Sequence, residues 1–228
     1  MTETALITGG TGGLGAAVTA TFLAAGWKVV VPSSSDSGAS RLGAHENLRV
    51  VKADLFEQAD VEACVAVAAD DPAAPLTAVV NLVGGFGMGP RLHETPIDEF
   101  DRLLRLNLRP TYLVCQAALP KVVAAGGGSV VCVSTKAVDR PFPGASGYLT
   151  AKTAVLGLVK SMAAEYGVDG VRVNAVLPGV IDTPANRTDD PSADRSGWVS
   201  PEQIAATILF LCGQTPITGA AIPVSGTR

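Results

Sequence analysis

Tyr148 and Lys152 stand four residues apart, a spacing that puts a phenol and an ammonium on one face of a helix. A phenol with a reference pKa of about 10 trades protons poorly near neutrality, and a neighbouring cation favours the phenolate and brings it into range for acid–base work. The same spacing also describes an ordinary surface pair, so its meaning rests on what the rest of the chain adds. A second signal is the run Thr8-Gly-Gly-Thr-Gly-Gly-Leu-Gly15, between an apolar segment and a helical pattern. Glycines let a pyrophosphate approach the backbone, and the helix that follows offers free N–H groups and the positive end of its dipole. The plain alternative is a flexible turn. No lysine follows Gly15, which disfavours the phosphate loop of nucleoside triphosphatases.

The elements that must position these groups alternate regularly. Short apolar, β-branched runs fall at 4–8, 28–31, 48–52, 78–83, 129–134, 171–176 and 221–224, separated by longer helical patterns. Strands apolar on both faces and joined through helices predict an α/β, Rossmann-type, doubly wound parallel sheet of about seven strands. Residues 33–40 and 182–200 read as surface loops. Pro110 is expected in the first turn of a helix running towards Gly126, with a kink at Pro120. No linker divides the chain, so residues 1–228 form one domain, with a substrate site built from loops around 84–96, 135–147 and 180–200.

Of the 228 residues, 47% are hydrophobic and 17% charged, which excludes a disordered chain. Seventeen Lys+Arg against 21 Asp+Glu, with no block of like charge, argue against nucleic acid as a partner. Four scattered cysteines and two histidines, His45 and His93, give no disulfide framework or metal site and fit a reducing cytoplasm. The acidic start Met-Thr-Glu-Thr disfavours a secretion signal, and the uncharged stretch 203–227 is too broken by Gly and Pro to span a membrane.

The glycine spacing Thr8-Gly9-x-x-x-Gly13-x-Gly15, together with Tyr148-x-x-x-Lys152, resembles the short-chain dehydrogenase/reductase family, and further stretches agree in order. Ala53-Asp54-Leu55 looks like the segment that bonds an adenine. Asn81-x-x-Gly84 is similar to the family's Asn-Asn-Ala-Gly at its first and last positions. Asn174 to Gly179, with Thr183, resembles the Asn-x-x-x-Pro-Gly-x-x-x-Thr stretch beside the nicotinamide, and 217–224 resembles the closing strand. The resemblance implies an NAD(P)-dependent, ketoreductase-like oxidoreductase moving hydride between the nicotinamide and a small-molecule carbonyl or alcohol. It implies cofactor contacts from Thr8, Gly9, Thr11, Gly13, Leu14, Gly15, Ser33, Ser34, Asp54, Leu55, Asn81, Gly84, Pro178, Gly179 and Thr183, with Tyr148 and Lys152.

In that pattern Tyr148 is the general acid of reduction, while Lys152 lowers its pKa and orients the ribose. A hydroxyl thirteen positions before the tyrosine holds the substrate oxygen. That position is Thr135, and a loop one residue longer gives the role to Ser134. Asn107 matches the residue whose helix distortion frees a carbonyl for a water relay behind the lysine. The same fold serves imine and pteridine reductases, epimerases and dehydratases, whereas a non-catalytic nucleotide-sensing scaffold has no need of all four groups. The family's members are usually homo-oligomers, tetramers or dimers packed through two long helices, which would set Cys115 and residues 154–163 near an interface or in the core. Four features depart from the pattern: Thr135 in place of a serine, which keeps the hydroxyl, Leu82-Val83, a tail without the usual acidic-Gly-Gly ending, and a short 183–200 segment that implies an open pocket.

The family's acid position after the second strand falls on Ser33 and its base position on Ser34. Serines donate to a phosphate and an acid repels it, so NADP(H) is slightly favoured over NAD(H), with Asp36 nearby as a counter-signal. Gly84-Gly-Phe-Gly-Met-Gly-Pro90 follows the fourth strand at the carboxyl edge. Phe86 and Met88 line an apolar substrate pocket there, or else cap the core. Phe142, Ser146 and Val180 are pocket candidates by position, and Trp198 is placed to fold over the opening. Lys136 and Arg140 attract an anionic substrate or are solvated loop charges.

Overall fold

The computed structural model describes residues 2–213 and 216–226, the side chain of Ala39 apart. The strands are β1 (Thr4–Thr8), β2 (Lys28–Ser33), β3 (Leu48–Lys52), β4 (Leu76–Asn81), β5 (Gly128–Val133), β6 (Val171–Pro178) and β7 (Ala221–Val224). The helices are α1 (Gly13–Ala24), α2 (Asp36–Ser40), α3 (Gln58–Ala68), α4 (Ile97–Ala124), α5 (Ser146–Tyr166), α6 (Pro184–Asp189) and α7 (Pro201–Cys212). All strand pairs are parallel, in the order β3-β2-β1-β4-β5-β6-β7. The order reverses between β1 and β4, which opens a crevice at the carboxyl ends of the strands, the place where such sheets bind ligands.

Alternate side chains of each strand feed two cores. Leu6, Val30, Val79, Val130, Cys132 and Val173 pack on one face with buried residues of α3, α4 and α5. Ala5, Ile7, Val29, Val31, Val80, Val131 and Val176 pack on the other with α1 and α7. This double burial is why the strands read as continuous apolar runs. Phe22, fully buried in α1, meets Trp27 edge to face at 5.3 Å between centroids, a geometry worth about 1 kcal/mol beyond the area it buries.

Three expectations are corrected. Pro110 lies deep inside α4, which starts at Ile97 behind Pro96 with Asp98 and Glu99 in its first turn, and the helix continues through both Pro110 and Pro120. Residues 33–40 are the end of β2 and the five-residue α2. The 182–200 segment holds α6 and a 3-10 turn, Arg195–Gly197, and a parallel bridge from Ile181 to Val199 closes its base. The expected tail, with its unusual ending, runs on to Thr227 and Arg228, which lie outside the described residues.

Candidate active site

Between β1 and α1 the chain folds back on itself at close range. Gly9 is left-handed at φ +67°, and a Cβ on Gly15 would collide with the Gly9 carbonyl oxygen. A Cβ on Gly10 would come within 2.9 Å of Val31. α1 is preceded by Gly12 at its N-cap, so it has no side-chain cap, and it carries no acid in its first turn. Its first N–H groups, beside exposed Gly12 and Gly13 and half-buried Thr11 and Leu14, are therefore free for an anion. A cradle of glycine backbone at an uncapped helix start fits the pyrophosphate of a dinucleotide. Thr8 does not face this space with a free hydroxyl. Its Oγ1 accepts from the Leu82 amide at 3.2 Å and lies 3.5 Å from the Val80 carbonyl, seaming β1 to β4.

At the end of β2, hydroxyls gather where a charged residue was sought. Ser33 Oγ donates to the Ser35 carbonyl at 2.8 Å, Ser35 Oγ accepts from the Gly38 amide at 3.2 Å, and Ser35 and Ser37 hydroxyls pair at 3.3 Å. A Cβ on Gly38 would meet Ser33 Oγ, Ser35 Oγ and Thr11 Oγ1 within 3.2 Å, so α2 and the glycine turn converge. Ser34 is exposed, and so is Arg41 in the turn just after α2. Further along the edge, Asp54 Oδ1 accepts from the Phe56 amide at 2.9 Å, and Leu55 is buried in the core.

The proton-handling groups form two linked clusters. In the first, Tyr148 near the start of α5 has the Thr135 hydroxyl as a hydrogen-bonding neighbour. Burial raises the phenol above its usual pKa, and the Thr135 hydroxyl partly offsets this. The Tyr148 ring meets the Phe86 ring edge to face at 5.3 Å, and Phe86 lies 6.3 Å from Phe142. In the second, one turn along α5, Lys152 is 5% exposed and its Nζ donates to the Val133 carbonyl at 3.1 Å. Desolvation pulls its pKa from 10.5 down to about 8, and Cys132 nearby pushes it back up. A Cβ on Gly84 would fall 2.6 Å from Asn107 Oδ1 and 2.9 Å from Lys152 Nζ, so α4 and α5 converge on that glycine.

The two candidate hydroxyls are separated by their partners. Ser134 is 3% exposed and donates to the Lys152 carbonyl at 2.8 Å, pinning β5 to α5. Thr135, half-buried, accepts from the Ala137 amide at 3.2 Å, which leaves its O–H free to donate, and has Tyr148 as its side-chain neighbour. Asn107 is buried inside α4; its Nδ2 donates to the carbonyls of Gly85 and Leu103, each at 3.1 Å, and its Oδ1 accepts from the Gly85 amide at 3.0 Å. Pro110 has no N–H, which leaves the Leu106 carbonyl without its helical donor.

The short chain dehydrogenase family model matches residues 3–194. The chain belongs to the short-chain dehydrogenase family. This dehydrogenase is 34% identical over 246 residues to the 2-(R)-hydroxypropyl-CoM dehydrogenase of Xanthobacter autotrophicus, covering 99% of this chain and 98% of the relative. Among solved structures it resembles ElxO with NADP bound at TM-score 0.90 and 25% identity, covering 98% of this chain and 97% of the other. It also resembles the 3-ketoacyl-(acyl-carrier-protein) reductase of Brucella melitensis complexed with NADH, at TM-score 0.88 and 28% identity, with 99% and 98% covered. It is an NAD(P)-dependent oxidoreductase with a Rossmann-like fold.

The remaining residues singled out by sequence are scattered along the dehydrogenase's cleft or lie outside it. Asn81 is 2% exposed; its Nδ2 donates to Cys115 Sγ at 3.3 Å and Cys132 Sγ at 3.8 Å, while its buried Oδ1 has no protein donor among the described residues. Pro178 is buried at the end of β6, the Gly179 amide donates to Val224, and Val180 is exposed. The Thr183 hydroxyl caps α6 by accepting from the Asn186 amide at 3.2 Å, while its methyl fills the space beside Gly13. Ser146 opens α5 half-buried, and Trp198 lies beneath Arg195 at 5.7 Å. His45 and His93 are exposed on turns. Lys136 Nζ donates to Ser225 Oγ at 2.9 Å, and Gly226 packs against Gly197 and Trp198. The Lys136–Ser225 contact, the Thr183–Gly13 packing and Arg41 were not foreseen from sequence. Among the described residues no helix is long and apolar enough to cross a membrane.

Proposed function

We propose that this dehydrogenase is a carbonyl reductase in which Tyr148 is the proton donor and NADPH is preferred to NADH. The observation that carries it is the phenol of Tyr148 beside the Thr135 hydroxyl, with the buried ammonium of Lys152 one turn behind. A bound nicotinamide supplies hydride to the carbonyl carbon or accepts it back. Thr135 donates to the carbonyl oxygen and holds it against Tyr148, which gives that oxygen its phenolic proton. The raised pKa of Tyr148 keeps the proton in place at neutral pH until it is needed, as a reductive acid requires. Lys152, still charged below about pH 8, favours the phenolate left behind. Asn107 supports the chain beside Lys152 from α4, and the free Leu106 carbonyl is an acceptor for a relay water.

The glycine turn and α1 hold the pyrophosphate, and Asp54, Gly84, Pro178 and Gly179 line the same edge. Preference for the 2′-phosphate is supported by the hydroxyls of Thr11, Ser33, Ser35 and Ser37 and by the exposed guanidinium of Arg41, against the exposed carboxylate of Asp36. The small-molecule substrate lies between the 84–96, 135–147 and 180–200 segments. A homo-oligomer and a cytoplasmic setting complete the reading, the latter supported by four free, buried cysteines.

Paired titrations with NADPH and NADH, read by cofactor fluorescence, test the nucleotide site; NADPH is expected to bind at least about tenfold tighter, and tighter NADH overturns the preference. Tyr148→Phe is expected to keep cofactor affinity and lose about 100-fold or more in carbonyl turnover. Wild-type turnover in the folded variant sinks the mechanism.

A further inference from the structure

Phe86 is a large apolar side chain left 63% exposed beside Tyr148, on a backbone that is held at several points. Asn107 grips Gly85 twice, accepting from its amide and donating to its carbonyl. Gly87 sits so close to Leu103 of α4 that a Cβ would collide with that side chain. The Gly89 amide donates to the Gly144 carbonyl at 2.8 Å, and Gly144, left-handed at φ +82°, has the Gly89 oxygen where a Cβ would stand. Glycines 85 and 87 thus pack inward on α4 and Gly89 docks on Gly144, while Phe86 and Met88, the latter 67% exposed, face out. Exposure here is a built feature of the segment, because the glycines that would otherwise carry bulk are the residues pressed against the protein.

The rings form a wall. Phe86 and Phe142 centroids lie 6.3 Å apart with planes tilted by 35°, and the Phe86 and Tyr148 rings meet edge to face at 5.3 Å and 73°. These separations are those of rings in mutual contact. A third ring sandwiched between two others needs about 7 Å, two van der Waals gaps, so Phe86 and Phe142 are not jaws. A one-sided aromatic wall gains most from a flat ligand, which lays a whole face on it, and least from a bulky saturated group that touches at a few atoms.

We propose that the carbonyl reduced by this enzyme is borne on an aromatic ring, and that Phe86 is the specificity-determining residue that stacks with it beside Tyr148. This rests on Tyr148 as the proton donor, and the experiment separates the two. Acetophenone and cyclohexyl methyl ketone, methyl ketones of similar size of which the conjugated aryl ketone is intrinsically the less electrophilic, are compared for binding to the NADPH-loaded enzyme by ligand-observed NMR and for reduction. In the wild type, acetophenone is expected to bind and to show a kcat/KM at least about tenfold higher. In Phe86→Ala that preference collapses, mainly through KM, and Phe86→Leu, which keeps the bulk and the fold, also loses most of it. Equal preference in the wild type, absence of acetophenone binding, or a preference that survives both variants overturns the proposal. Acetophenone binding that depends on Phe86, without turnover of either ketone, upholds the aromatic site and sinks the role of Tyr148.

Discussion

Lys152 is an ammonium in a place that disfavours its charge. Burial is the largest cause, Cys132 offsets part of it, and the pKa falls from 10.5 to about 8. The folded state therefore releases this proton before the unfolded state does. Between about pH 8 and 10.5 the unfolded chain binds more protons, so this group's contribution to stability rises with pH there and is a constant penalty below. Burial raises the thiols of Cys64 and Cys212, and the neighbouring Cys132 thiol together with burial raises that of Cys115; the stability these give fades as pH rises through about 9, equally in both proteins, so the comparison between them isolates the lysine. Lys152→Met removes the penalty, and its stability advantage over wild type is expected to shrink by about 1 kcal/mol from pH 7 to pH 9. Urea midpoints of both proteins at the two pH values decide it, and a pH-independent difference would falsify the buried charge. The neighbouring hydroxyls show the same logic of commitment. Ser134 is used up on the Lys152 carbonyl, and only Thr135 keeps its hydroxyl at the phenol.

At the scale of elements, the glycine turn works because β1 and α1 nearly touch. Gly15→Ala sets a methyl against the Gly9 carbonyl and must push the first turn of α1 outward. The expected result is a loss of about 1–3 kcal/mol in stability and at least about tenfold in dinucleotide affinity. Unchanged affinity in the folded variant would show that the close approach is not what shapes the nucleotide site. Such local spacing was legible in the sequence, as were the strands, because burial on both faces writes an apolar run and a helix writes its period. The start of α4 was misread from Pro110, although Pro96, Asp98 and Glu99 carry the ordinary marks of a helix start. What the sequence hid was contact between distant segments: Phe86 with Phe142, Thr183 with Gly13, Lys136 with Ser225. The strand position of Asn81 sends its amide nitrogen to the thiols of Cys115 and Cys132 and leaves its Oδ1 buried without a protein partner among the described residues. The sequence does carry one sign of the aromatic wall: Gly85 and Gly87 alternate with Phe86 and Met88, a period of two that marks one inward and one outward face.

For the molecule as a whole, the helices that carry the chemistry also carry an unpartnered outer face. Leu104, Leu108 and Tyr112 repeat every four residues along α4, and with Ala154 and Leu158 of α5 they line an open concavity of about 530 Å³. Tyr112 is 51% exposed there, and Arg105 at the rim lies over Phe56 at 5.6 Å. The same two helices hold Asn107, Tyr148 and Lys152 on their buried sides, while the cleft opens at the carboxyl edge of the sheet. A second copy of this chain seated on that face, as the proposed homo-oligomer requires, would cover the apolar stripe and leave the cleft accessible. If such a partner stiffened α4 and α5, catalytic geometry and assembly would be linked. The double variant Leu108→Glu with Tyr112→Glu buries two carboxylates in such an interface, a cost of several kcal/mol that no contact there offsets. Analytical ultracentrifugation is expected to show the wild type as a multiple of the chain mass and the double variant, still folded by circular dichroism, as a single chain with reduced turnover. A wild type that sediments as a single chain at micromolar concentration removes the partner, and the stripe must then be read as exposed surface with no role in holding the catalytic helices.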